Sequence, residues 1–276
     1  VFYTIFSVLA KFYNVRVLAL CLMVDHVHSL LSSDVLSNIS AFVRHYTSLF
    51  VSEYNQSIGR HGPLFHKSFG SAPKKGSKKI RSAIVYIGNN PVEKSLCREA
   101  KEYRWNFLAY LLDRHPFSVQ KPLSSCSERL RKAVHEVRRC HDVDHYLSYA
   151  QLRRLMNNLN NDEKEMLTDY IINIYWPFDN ELLLSFYGSA DEMLHAMRST
   201  SGADYDIREK YYSGSDAIYH DMLNVASDQC GIVPARMITQ LSDEQKMEVA
   251  SILRKYTQSS HIQISKFLHM KIVRAV

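Results

Sequence analysis

Leu22-Met23-Val24-Asp25-His26-Val27-His28-Ser29-Leu30-Leu31 decides how the N-terminal part of this chain folds. Successive side chains of a strand point to opposite faces, so residues two apart share one. In a strand over 26–32, His26 and His28 therefore place two imidazoles on one face, where they can grip a single divalent cation, while Val27 turns the other way into a core. Working outward, apolar runs predict a strand over 15–23 and a helix over 2–13. On the other side a long helix is expected over 35–56, with apolar residues at 36, 39, 42, 43, 46, 49, 50 and 54 and with Ser33 and Asp34 as caps.

A second informative segment is Ile84-Val85-Tyr86-Ile87-Gly88-Asn89-Asn90-Pro91-Val92. Apolar residues at 80, 83, 84 and 87 form a helical stripe, and Tyr86 and Asn90, four apart, fall together on its flank. Gly88 and Pro91 are expected to end this helix, because the residue before a proline avoids helical angles, which sets Asn90 at a fraying terminus.

Met23-Val24-Asp25-His26-Val27-His28, followed by Tyr86-Ile87 and Asn90-Pro91-Val92, resembles the single-tyrosine HUH transposases, and among them the REP-associated tyrosine transposases. Gly62-Pro63-Leu64-Phe65-His66-Lys67-Ser68-Phe69 is similar to that family's Gly-x-Leu-Phe-x-x-x-Phe segment, and Tyr103-Arg104-Trp105 to its Tyr-x-Trp. Val24 stands where the family usually has proline, and Asn106-Phe107 replaces its common Ser-Ser. The resemblance implies an α+β fold, a ferredoxin-like antiparallel sheet with packed helices, followed here by an all-α C-terminal region. It also implies a further strand before Phe2, so residues preceding Val1 are expected to be missing.

Of 276 residues, 46% are apolar and 11% aromatic, enough for packed cores. No apolar stretch reaches the roughly 18 to 20 residues that span a bilayer. Five scattered cysteines form no Cys-x-x-Cys pair, which argues against a disulfide framework and a zinc knuckle. A bacterial, nucleoid-associated cytoplasmic protein is expected.

Charge is uneven: residues 1–110 hold 14 Lys+Arg against 6 Asp+Glu, whereas residues 151–230 hold 6 against 14. A basic N-terminal segment suits a polyanion. Lys74, Lys75, Lys78, Lys79 and Arg81, together with Lys67, are the candidate DNA contacts. The expected organisation is a catalytic domain over 1–114, a Pro- and Ser-containing linker over 115–125, an acidic helical domain over 126–230 and a helix-turn-helix DNA-binding tail over 231–276. In the tail, a capped helix runs from Ser242 to Tyr256, a short one covers 259–267, and a recognition helix begins at 272–276.

The resemblance assigns roles. Tyr86 is the nucleophile that forms a covalent phosphotyrosine, and His26, His28 and Asn90 hold Mg²⁺ or Mn²⁺ against the scissile phosphate. The partner is single-stranded or hairpin DNA, with duplex DNA at the C-terminal helices, no membrane, and a monomer or a dimer as the active species. Two other readings share these residues: a relaxase or rolling-circle nicking enzyme, and a domesticated DNA-binding regulator that no longer cuts. Relaxases usually carry a third histidine or a second tyrosine, and neither surrounds Tyr86.

Overall fold

In the computed structural model, residues 1–65, 69–200, 215–232, 238 and 241–270 are described. Strand β1 (Arg16–Leu22) buries every residue from Val17 to Cys21, so both of its faces are covered. β2 (Val27–Ser32) pairs with it antiparallel, Cys21 opposite His28 and Leu22 opposite Val27. Among the described residues the sheet has these two strands, and the α+β class expected from the sequence is the class observed. The other edge of β1 is met by chain from further on. Leu22 N–H donates to Trp105 O at 2.9 Å, Phe107 N–H to Leu20 O at 3.0 Å, and Asp179 N–H to Val17 O at 2.9 Å.

Helix α1 (Phe2–Phe12) precedes the hairpin and α2 (Leu36–Ile58) follows it. Gly59, at φ 60°, takes the left-handed turn that follows α2. The apolar positions expected along α2 reach the core at Phe42 and Tyr46: Phe6 meets Phe42 edge to face at 4.9 Å and Tyr46 at 5.1 Å. Rings packed in this way add about 0.5–1.5 kcal/mol to the gain from burying their area.

α3 (Ser77–Glu93) runs through Pro91, three residues past the Gly88 stop expected from the sequence. Proline forfeits one amide donor, but the following turn closes regardless, with Lys94 N–H on Asn90 O at 3.0 Å and Leu96 N–H on Pro91 O at 2.8 Å. Asn90 therefore lies inside the helix and is 1% exposed. Short helix α4 (Leu108–Leu111) follows. Then come α5 (Glu128–Asp142), α6 (Tyr149–Met156), α7 (Asn161–Ile174), α8 (Asn180–Ser185) and α9 (Ala190–Thr200).

A buried polar network ties the Tyr-x-Trp segment to α7. Arg104 donates to Asp169 Oδ1 at 2.8 Å and to Glu165, and Tyr110 OH donates to the same Asp169 oxygen at 2.8 Å. Phe117 N–H and Ser118 Oγ, in the stretch read as a linker, donate to Asp169 Oδ2 at 3.2 and 2.8 Å. With Arg104 7% exposed and Asp169 fully buried, each charge depends on the other to offset its desolvation.

The described residues divide into two compact units. One holds 1–23, 27–54 and those from 63 to 200; the other holds 24–26, 55–62 and those from 215 onward. The second contains α10 (Ser215–Cys230), α11 (Asp243–Tyr256) and α12 (His261–Phe267), with Met222, Leu253, Ile264 and Phe267 in its core. Ser242 with Gln245 and Ser260 with Gln263 form capping boxes that start α11 and α12. The recognition helix expected at 272–276 lies outside the described residues.

Candidate active site

α3 carries the candidate nucleophile into the centre of the first unit. Every residue from Ala83 to Pro91 is buried, because β1, β2, α9 and the chain around residue 100 all pack on this helix. Tyr86 is consequently 5% exposed, not on a solvated flank as the apolar stripe alone suggested. Packing from several directions overrides a one-sided pattern.

His28 and Tyr86 are brought together, their rings edge to face with centroids 5.4 Å apart and planes at 78°. Asn90, one turn beyond Tyr86, has a buried Oδ1 with no hydrogen-bond partner among the described residues. A buried carbonyl oxygen without a donor is costly, and a cation or a substrate hydrogen is what such an oxygen accepts. His26 sits one residue before β2, where the sequence expected it inside the strand, and its Nδ1 lies 2.6 Å from Asp25 Oδ1. That carboxylate fixes which imidazole nitrogen is left for a ligand, the usual arrangement for a metal-binding histidine.

Cys21, opposite His28 in the ladder, is held as a thiol: burial raises its pKa, and Cys97 adds to the effect. It therefore supplies no thiolate beside the imidazoles. Among the described residues no group of three or more His, Cys, Asp or Glu is placed to hold a metal. The donors expected from the sequence, two imidazoles and an amide, are of a kind that suits a hard ion keeping water or substrate oxygens as its remaining ligands.

Lys75, Lys78, Lys79 and Arg81 are exposed and Lys74 is half-buried, all at or just before the N-terminus of α3. No acid occupies that first turn, so cations sit on the positive end of a helix dipole. Such an end attracts phosphate. Lys67 and the His66 and Ser68 beside it lie outside the described residues.

Several positioning residues were invisible in the sequence. Asn106 Nδ2 donates to Gly88 O at 2.7 Å, Asn89 Nδ2 donates to Met197 O at 2.8 Å, and Tyr103 OH donates to Leu22 O at 2.8 Å. The only signal was the Tyr-x-Trp resemblance, which says nothing of what those residues hold. Among the described residues no helix is long and apolar enough to cross a membrane.

Residues 1–90 match the family model described as transposase, IS200-like. No curated protein and no solved structure matches the chain.

Proposed function

We propose that this protein, whose residues 1–90 match the model of the IS200-like transposases, a family that processes DNA and is generally metal-dependent, cuts and rejoins single-stranded, hairpin-containing DNA through a covalent phosphotyrosine at Tyr86. The observation that carries the reading is the contact of His28 with Tyr86, which has the buried, unpartnered Asn90 Oδ1 one turn further along the same helix.

The Tyr86 hydroxyl attacks phosphorus in line with the 3′ oxygen. The P–O3′ bond breaks, the departing oxygen takes a proton as a 3′-hydroxyl, and the 5′ phosphate stays on tyrosine. The phosphotyrosine conserves the energy of the broken bond, so another 3′-hydroxyl can reverse the step and join strands without a nucleotide cofactor. His26, His28 and Asn90 would hold Mg²⁺ or Mn²⁺, which supplies Lewis-acid charge on the nonbridging oxygens. Lys74, Lys75, Lys78, Lys79 and Arg81, with Lys67, would lead the strand to the tyrosine. Because Tyr86 is 5% exposed, the chain around α3 must open locally before a phosphate reaches it. Residues 1–114 would do the cutting, in a bacterial cytoplasm, and the helices of 231–276 would add duplex contacts.

The test is incubation of the full chain with labelled hairpin oligonucleotides and Mn²⁺, followed by denaturing electrophoresis. A labelled protein adduct that disappears in Tyr86→Phe is expected. Hairpin binding with no adduct in the unaltered protein would instead indicate a regulator that has lost cleavage.

A further inference from the structure

Outside residues 1–90, helix α5 segregates its charge sharply. Leu130, Ala133, Val137 and Cys140 are buried on one side. Arg131, Lys132, His135, Arg138 and Arg139 recur at spacings of one, four, seven and eight residues, share the opposite side and are exposed. The acids of the helix offset this stripe only in part, at Lys132. Glu128 pairs with Lys132 at 2.8 Å, Glu136 pairs with Arg154 of α6, and Asp142 lies 3.5 Å from His141. Arg131, Arg138 and Arg139 form no ion pair among the described residues. Cations in the last turn suit the helix dipole, which accounts for Arg138 and Arg139 but not for Arg131, Lys132 or His135.

We propose that this face of α5 docks the phosphate backbone of duplex DNA, such as the stem of a hairpin substrate; the proposal rests on the DNA-processing reading above. Charge complementarity selects a polyanion. Guanidinium groups suit phosphate because their donors form a rigid fork. The stripe contains no Phe, Tyr or Trp on which an unpaired base could stack, which favours duplex over single strand. From Arg131 to Arg139 the helix rises about 12 Å, a span that covers roughly three to four phosphates of one strand. Arg131 is braced from its own N-terminal side, donating to Ser124 O at 3.3 Å and Cys126 O at 3.2 Å, and Arg138 Nε donates to Tyr170 OH at 3.3 Å. The fork is thus partly preorganised and its outward N–H groups remain for a ligand.

Two triple variants of the full chain test this, Arg131→Gln/Arg138→Gln/Arg139→Gln and the same positions changed to Lys. Binding to a blunt duplex and to an unstructured single strand of equal length is measured from 50 to 200 mM salt. The Gln variant should bind duplex with a log-log salt slope shallower by about 0.9 for each phosphate no longer neutralised, while the Lys variant keeps the slope. Adduct formation on the single strand in Mn²⁺ should be unchanged in both. An unaltered duplex slope in the Gln variant overturns the proposal. So does equal loss in both variants, which would mark the arginines as structural, or a loss confined to single strand. Normal slope behaviour in a protein that forms no adduct would leave the docking face standing and defeat the cleavage reading instead.

Discussion

The imidazole of His28 meets the ring of Tyr86 edge to face, 5.4 Å between centroids, so one side chain of the histidine pair touches the tyrosine across the boundary between strand and helix. Tyr86→Phe keeps that ring contact and removes only the hydroxyl. Thermal stability and DNA binding should stay close to those of the unaltered chain, and the denaturation-resistant adduct should vanish. Cleavage at the unaltered rate would remove Tyr86 from the chemistry.

Replacing His26 by Ala takes away a proposed ligand with little packing, whereas His28→Ala also opens a gap against Tyr86. Both should lower Mn²⁺-dependent cleavage by orders of magnitude, because a positioned metal is worth several kcal/mol in the transition state. Only His28→Ala should also lower the melting temperature. Cleavage that continues at full rate in excess chelator would rule out metal assistance.

Lys78 and Lys79 lie in the first turn of α3, against the helix dipole. Changing Lys74, Lys75, Lys78 and Lys79 to Gln should therefore move two measurements in opposite directions. The protein should melt higher, while its binding to single strands weakens, with a salt slope shallower by about 0.7 for each phosphate left without its lysine. Weaker binding accompanied by a lower melting temperature would indicate that these lysines support the fold.

Asp169→Ala should destabilise the first unit by about 3–5 kcal/mol, measured from the denaturant midpoint, because it leaves Arg104 charged and buried. Pairing it with Arg104→Met should recover part of the loss. For the same reason a chain cut after residue 115 should fail to fold: it loses Asp169, Glu165 and the Asp179 amide that caps the edge of β1. A soluble, cooperatively melting fragment 1–115 would contradict this.

In the second unit His269 has its pKa lowered to about 4, by burial first and by Lys246 second. The folded form thus takes up a proton less readily than the unfolded chain. The stabilisation is complete above the unfolded value near 6.5 and is lost as pH falls from there to about 4, on the order of 3 kcal/mol in all. Amide protection factors in 243–256 should fall over that window, and His269→Asn, which tolerates the left-handed backbone of φ 50°, should flatten the dependence.

The hairpin and α1 and α2 were legible to within about two residues, because their apolar patterns agree with what they bury. The candidate site residues, His26, His28, Tyr86 and Asn90, are readable in order from the sequence, but their surroundings are not. Pro91 reads as a stop only if neighbouring chain is ignored. In the fold, Asn106 and Met197 hold the polar groups of Gly88 and Asn89, and the turn after Pro91 closes on its own. The Arg104–Asp169 bond joins residues 65 apart, and no local pattern announces it.

Gly88 has a consequence for how such proteins can be recombined. A Cβ there would come within 3.0 Å of Leu108 Cδ1 and of Met197 Cε, so the backbone of the tyrosine helix is seated directly on two side chains from beyond the family-matched segment. The height at which Tyr86 sits is thereby set by residues that a cut at position 90 would discard. A chimera joining residues 1–90 to a relative's downstream helices should keep the tyrosine helix in place, and form adducts if the proposed cleavage holds, only if the graft brings Asn106, Leu108 and Met197 with it, so the unit of inheritance reaches at least to α9.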